Sequence, residues 1–240
     1  MKQTPFTLMP RLELCASLLR PHTRVCDVGT DHAYLPVALA LRGQILSALA
    51  CDVREGPLRT AQAHIIQYGV STLVRTRLSD GLAAIEPQEA EDIVIAGMGG
   101  DLIARIVTET DWLRDPSKHL ILQPMTKAPA LRRALSNAGF ALLQENAVLD
   151  SGRPYTAMSY VFAPPKAMLD EIHIYTGLLR PVTPASRAYL ARTRTHLQSR
   201  LRGLLCEQRN TEAAVLKQVC CAIESLFPYT PYEEKENERR

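Results

Sequence analysis

"GFALLQENAVLDSGRPYTAMSYVFAP", residues 139–164, decides the fold. Two strand-like runs flank "SGRP" (151–154), a turn signal, so the stretch reads as an antiparallel hairpin. The chain before it follows another rule. An opening helix over 10–20 is closed by Pro21, and short apolar runs then alternate with helical patterns. Strands are expected at 24–28, 46–52, 72–78, 92–97 and 118–122, and helices at 34–42, 56–68, 100–109 and 128–138. Such alternation implies a parallel sheet with helices on both faces, joined by βαβ crossovers. Five parallel strands followed by a hairpin differ from a dinucleotide-binding sheet, which ends on a sixth parallel strand.

"APPK" (163–166) marks the end of that region, so two domains are expected, at 1–164 and 165–240. Residues 186–226 contain no Pro and space Tyr189, Leu190, Leu197, Leu201, Leu204, Leu205, Val215, Leu216 and Val219 in threes, fours and sevens. This suits one long helix or a helical hairpin of coiled-coil character, with Gly203 or Asn210 as the turn. The last ten residues, "PYEEKENERR", are polar and expected to fray.

An apolar fraction of 46% in 240 residues suits a globular protein of one or two domains, and no apolar run approaches the roughly 18 residues of a membrane span. The N-terminus has Glu13 inside its apolar stretch and reads as mature protein, not as a leader. The six Cys (15, 26, 51, 206, 220, 221) lack C-x-x-C spacing and read as core thiols of a reducing, cytoplasmic compartment, with no metal expected. A net charge of +3 does not by itself announce a nucleic-acid partner. The distribution says more: residues 180–209 hold seven Arg (180, 187, 192, 194, 200, 202, 209) against a single acid, Glu207.

In open α/β sheets ligands bind beyond the carboxyl ends of the strands. Those ends carry Asp27, Gly29, Thr30, Asp31 and His32 after strand 1, Asp52 and Val53 after strand 2, Ser79-Asp80-Gly81 after strand 3, "AGMGGD" (96–101) after strand 4, and "QPM" (123–125) after strand 5. Asp52 suits a ribose diol and Asp80 an adenine amino group, although either also suits a helix cap or a turn. "DVGTDH" starts like a glycine-rich nucleotide loop and then puts Asp31 and His32 where G-x-G-x-x-G would stay bare. A carboxylate there would repel a pyrophosphate. It is compatible with the ammonium and sulfonium of S-adenosylmethionine, so that cofactor is favoured over NAD, in a Rossmann-like methyltransferase sheet. His32 is also a candidate cap for the next helix. Gly97, Met98 and Gly99 fall where a flat base must approach the methyl donor, at a place where many amino-methyltransferases carry an Asn-Pro-Pro-aromatic turn that this chain lacks. The candidate cofactor set is therefore Asp27, Gly29, Asp31, His32, Asp52, Val53, Asp80, Gly81, Gly97, Met98 and Gly99.

"RLELCASLL", "DVGTDHAYLP", "DVREGPL", "SDGL", "IAGMGGDLI" and "LILQPM", in this order, resemble the bacterial tRNA (adenine-22-N1)-methyltransferase family, over the first 160 or so residues. The resemblance implies a Rossmann-like S-adenosylmethionine domain, a C-terminal coiled-coil domain, and methylation of N1 of adenine in the D-arm of tRNA. Adenine N1 is unprotonated at neutral pH and can attack the methyl directly. The product cation would be eased by a carboxylate, for which Asp31 is the candidate, with His32 and Tyr34 as positioning groups. Arg187, Arg192, Arg194 and Arg202 are the candidates for phosphate contacts. Against the family pattern, Asp52 stands where Glu is common, Met125 where "QPN" is usual, and Asp101 where small or apolar residues are common. The competing readings are methylation of another RNA or of a small molecule, and a non-catalytic RNA-binding protein on a degenerate methyltransferase fold. Oligomeric state stays open.

Overall fold

The computed structural model describes residues 7–164 and 168–227, so the expectation for the last ten residues and part of the 163–166 boundary lie outside the described residues. Seven strands form one sheet, β1 (Thr23–Val28), β2 (Ile45–Asp52), β3 (Val74–Leu78), β4 (Asp92–Gly99), β5 (His119–Thr126), β6 (Phe140–Asp150) and β7 (Arg153–Phe162), in the order β3-β2-β1-β4-β5-β7-β6. β1 to β5 are parallel, and β7 joins β5 antiparallel, with β6 outside it. The chain winds outward from β1 on one side and then resumes from β4 on the other. This reversal leaves a crevice between the carboxyl ends of β1 and β4.

Strand residues alternate between the two faces. Val25, Ala48, Val94 and Ile121 pack under α1 (Pro10–Leu18), α2 (Tyr34–Leu41) and α3 (Glu55–Gln67). Cys26, Leu49, Ile93, Ile95, Leu120 and Leu122 pack under α4 (Gly100–Glu109) and α5 (Ala128–Asn137). The near-continuous apolar runs seen in the sequence are what a sheet covered on both faces requires. Cys26 and Cys51 are both fully buried, with their sulfurs 3.6 Å apart, and their contact and burial hold the Cys26 thiol well above its usual range. At the amino ends of the strands the fully buried Asp92 accepts from the backbone N–H of Arg20 (2.9 Å) and from its Nε (2.7 Å), pinning the exit of α1 to the start of β4.

Two strands run longer than the sequence suggests. β4 continues to Gly99 and β5 to Thr126, past a bulge at Gly97 that shifts the register between them. The helices after the sheet are α6 (Glu171–Thr176), α7 (Pro184–Cys206) and α8 (Asn210–Leu226). α6 is too short to announce itself in the sequence. α7 opens on a reciprocal cap in which Ser186 N–H donates to Thr183 Oγ1 (3.1 Å) and Thr183 N–H donates to Ser186 Oγ (3.0 Å). The turn of the helical hairpin is neither Gly203, which lies inside α7, nor Asn210, which starts α8. It falls at Glu207–Arg209, with Gln208 at φ 58°. Leu190, Leu197 and Leu204 of α7 meet Leu216, Val219 and Ile223 of α8 in a third apolar cluster. No helix among the described residues is long and apolar enough to cross a membrane.

Between sheet and helices sits a buried ion pair. Arg132 of α5 and Glu145 of β6 have side chains with no solvent exposure, and Arg132 Nη2 lies 2.5 Å from Glu145 Oε1. Arg132 also donates to the carbonyl of Ile174 (2.9 Å) and to the Tyr189 hydroxyl (3.2 Å), while Glu145 accepts from Thr156 Oγ1 (2.6 Å) and from Leu178 N–H (3.1 Å). Burial opposes the Arg132 charge, and the Glu145 carboxylate beside it more than restores it. Gly177 has φ +59°, and a Cβ there would lie 1.6 Å from Glu145 Oε2, so only glycine fits over the pair. Arg132→Met, which strands the Glu145 charge, should lower unfolding free energy by about 3–5 kcal/mol in a denaturant titration. Arg132→Met combined with Glu145→Leu should recover part of that loss.

Candidate functional site

The crevice at the strand switch point opens into a cleft of about 530 Å³. Its wall includes Asp27, Gly29, Asp31, Asp52, Val53, Asp80, Gly81, Gly97 and Met98, nine of the eleven candidate cofactor residues. Gly99 lies outside that wall, and so does His32.

Asp27 sits at the bottom, 5% exposed, and accepts from Thr30 Oγ1 (2.6 Å). Burial pushes its carboxyl up to about 6, against the pull of the Thr30 hydroxyl and with a push from the Asp52 charge. Asp52 is almost as buried, and its Oδ1 accepts from Arg54 N–H (2.9 Å), so it closes a turn as well as facing the cleft. Two buried carboxylates end adjacent strands. Such a site wants a cation and hydroxyl donors, and disfavours an anion.

The loop between β1 and α2 is bent sharply. Asp31 (φ 55°) and Ala33 (φ 58°) both hold the left-handed conformation that non-glycine residues avoid, a pattern that clusters at ligand sites. It turns the Asp31 carboxylate, 65% exposed, to the mouth of the cleft, 3.6 Å from His32 Nε2. The His32 ring packs with Tyr34 (centroids 5.6 Å) and His64 (6.0 Å), and His64 Nδ1 lies 3.0 Å from the His32 carbonyl. His32 does not cap α2, whose N-cap is Ala33 with no side-chain bond.

Opposite this loop, Gly97 N–H leaves the β4 ladder for Gln123 Oε1 (3.1 Å), which aims the bulge into the cleft. The glycines of "GMGG" serve different ends. A Cβ on Gly97 would meet nothing within 4 Å, so Gly97 leaves open space, whereas one on Gly100 would lie 2.5 Å from the Lys127 carbonyl. Gly29 faces Met98 so closely that an added Cβ would lie 2.2 Å from the methionine methyl. Asp101 lies outside the cleft wall, paired with Lys127. Met125 meets Arg11 Nη1 (2.7 Å), a contact that a polar residue at this position would replace by a stronger one.

Beside the cleft is a second cavity of about 770 Å³, roofed by α7 and floored by the end of β5 and the start of β7 and α5. It divides the candidate phosphate contacts. Arg192 lines it. Arg194 turns toward α8, its guanidinium 6.0 Å from the Phe227 ring, and Arg187 Nε donates to the Pro181 carbonyl (2.8 Å). Arg187, Arg194 and Arg202 are not part of the lining. Lys127, Arg133, His196 and Arg200 are; Arg200 belongs to the arginine-rich segment but not to the candidate contacts, and no sequence signal singled out the other three. Helical spacing from Arg192 reaches His196 and Arg200, but which face looks inward depends on how α7 packs.

Among proteins of known sequence and structure, a family model described as a methyltransferase domain matches residues 8–158. The tRNA (adenine(22)-N(1))-methyltransferase of Bacillus subtilis strain 168 is 32% identical over 172 residues, 72% of each chain. A Streptococcus pneumoniae protein solved in complex with S-adenosyl-L-methionine is 33% identical, with a TM-score of 0.75 over 90% of this chain and 97% of that one. The Bacillus subtilis tRNA methyltransferase TrmK is 26% identical in the aligned structure, with a TM-score of 0.79 over 92% and 99%.

Because the carboxyl of Asp27 titrates higher in the folded chain than its ordinary 3.8, the protein takes up a proton on folding between there and about 6, and the contribution of Asp27 to stability falls as pH rises through that window. Thr30→Val removes the one hydroxyl that restrains the shift. Carboxyl NMR titration of the variant should place Asp27 higher than in the parent chain.

Proposed function

Because the chain belongs to the tRNA (adenine(22)-N(1))-methyltransferase family, we propose that it moves a methyl group from S-adenosylmethionine to N1 of adenine 22 in the D-arm of tRNA. The observation that carries the reading is the pair of buried carboxylates, Asp27 and Asp52, ending adjacent strands over one cleft. They fit this cofactor. Asp27 is the group to hold its ammonium and Asp52 to accept from its ribose diol, with Asp80 and Gly81 at the adenine end and Gly97 and Met98 toward the methyl. S-adenosylmethionine, when bound, supplies an electrophilic methyl group.

The rest is positioning by this chain. Adenine N1 is a Watson–Crick atom, so the base must leave its pair to present it, as in other enzymes that act on a base. The bulge at Gly97 gives a flat base room at the rim. Holding base and methyl donor in line converts an encounter into an oriented reaction. Methylation leaves a positive charge on the ring. Asp31 at the mouth is placed to offset it or to accept a proton from the exocyclic amine, help worth roughly 10²–10⁴-fold in general acid–base catalysis. The RNA approaches over the basic cavity under α7, where Arg192, from the candidate set, acts with Arg200. We take the chain to divide at 164/165, with the cofactor site in the first part and the basic cavity lined by residues of both. A cytoplasmic location follows from a tRNA substrate.

The deciding experiment is labelled methyl transfer from S-adenosylmethionine to tRNA lacking its own modifications, with nucleoside analysis. One-methyladenosine should form, and tRNA with guanine in place of adenine 22 should accept no label. Label that survives ribonuclease would point to a different substrate, and cofactor binding without any turnover to a non-catalytic binder. Asp52→Ala should weaken S-adenosylmethionine binding by about 1–3 kcal/mol in calorimetry, the range for losing hydrogen bonds to a charged group. Asp31→Asn should lower turnover at saturating cofactor while leaving tRNA affinity within a small factor of the parent; full turnover would remove Asp31 from the chemistry.

A further inference from the structure

The cavity under α7 has more than the charge needed to attract a polyanion. Tyr155, Tyr175 and Tyr189 line it together with its cations, and no Asp or Glu is among the described lining residues. Its cations are of two kinds. Lys127 is neutralised by Asp101 and Arg133 by Glu171, whereas Arg192 and Arg200 meet no carboxylate among the described residues. Arg200 Nη1 donates to the Tyr175 hydroxyl (3.2 Å), which holds its guanidinium at the wall. Arg192 and Arg200 are eight residues apart, so they lie on one face of the helix.

Tyr155 is the tyrosine that adjoins the cofactor cleft. The Arg11 guanidinium stands 5.1 Å from its ring centroid and is fixed there by Asp150, 2.5 Å from Arg11 Nε. Arg11 belongs to the wall of the cofactor cleft, and Tyr155 to the wall of the neighbouring cavity. The pair therefore forms the partition between the two. The cavities also meet along β5, where Gln123 faces one and its neighbour Pro124 the other.

Resting on the tRNA reading above, we infer that this cavity is a subsite for one nucleotide flanking the acceptor adenine, extruded with it, its base stacked on Tyr155 and its phosphates on Arg192 and Arg200. An aromatic platform with unpaired guanidinium groups is the chemistry that binds unstacked nucleotides without reading their sequence. A volume of about 770 Å³ is that of a small-molecule site, too confined for a duplex. The adjacent cleft explains why a neighbour is available: drawing the acceptor out of its pair unstacks the nucleotide next to it.

The test uses the full chain saturated with S-adenosylhomocysteine and tRNA carrying 2-aminopurine at the acceptor or at either flanking position. Emission should change several-fold on binding at the acceptor and at one flanking position. Tyr155→Ala should abolish the flanking response, leave the acceptor response, and weaken tRNA binding by about tenfold, the loss of one stacked base. Tyr155→Phe should restore all three. Arg192→Glu with Arg200→Glu should flatten the salt dependence of tRNA affinity by about two counterions. Unchanged S-adenosylhomocysteine affinity and melting temperature would show that the variants are folded. No response at either flanking position, or one that survives both Tyr155→Ala and the double arginine variant, overturns the subsite. A flanking response that depends on Tyr155, in a protein that methylates no adenine 22, supports the subsite and overturns the proposed acceptor instead.

Discussion

The Arg132–Glu145 pair sets the relation between sheet and helices. Burying two charges is costly, and hydrogen bonds to both partners offset most of that cost, although Arg132 Nε finds no acceptor among the described residues. Here the partners come from β7 (Thr156), from α6 and the residues just after it (Ile174, Leu178), and from α7 (Tyr189). An apolar contact would tolerate sliding of one layer over the other, whereas directional bonds to a buried charge do not. The roof of the basic cavity is α7, so the shape of that cavity follows from this one pair and from the glycine at 177 that lets the chain pass over it.

The cofactor cleft depends on a second constraint, the reversal of strand order between β1 and β4. At the reversal the two crossovers leave in opposite directions, so Asp27, Gly29 and the Gly97 bulge face open space. The desolvation that raises the Asp27 carboxyl to about 6 also makes it responsive to a ligand cation, because a positive charge nearby returns it to the ionised form. The left-handed Asp31 and Ala33 are the strain carried by turning the chain tightly enough to put a carboxylate at the mouth.

Charge is divided unevenly over the molecule. The cleft is acidic and the cavity beside it basic, with Arg11 between them, bound to Asp150 on one side and set against Tyr155 on the other. A cationic cofactor and an anionic nucleic acid can therefore occupy neighbouring cavities without competing. Within the basic cavity Lys127 is paired with a carboxylate, whereas Arg192 and Arg200 meet none among the described residues.

The parallel sheet, its closing hairpin and the acidic strand ends were legible in the chain itself, because they depend on local periodicity and on the rule that ligands gather at carboxyl ends. "DVGTDHAYLP" and "IAGMGG" carried the family, and Asp27 and Asp52 were found by their order along the strands. Three things were not legible. The left-handed loop that turns Asp31 outward while leaving His32 off the cleft wall is a backbone choice made by packing against α3. The extension of β4 and β5 past Gly97 needed the Gln123 side chain to replace a ladder bond. The sorting of seven arginines, Arg192 and Arg200 to the cavity and Arg194 to Phe227, turned on the rotation of α7, set by a buried pair whose members are thirteen residues apart in sequence. Periodicity determines which residues share a face of a helix. Only the contacts of the folded chain decide where that face looks.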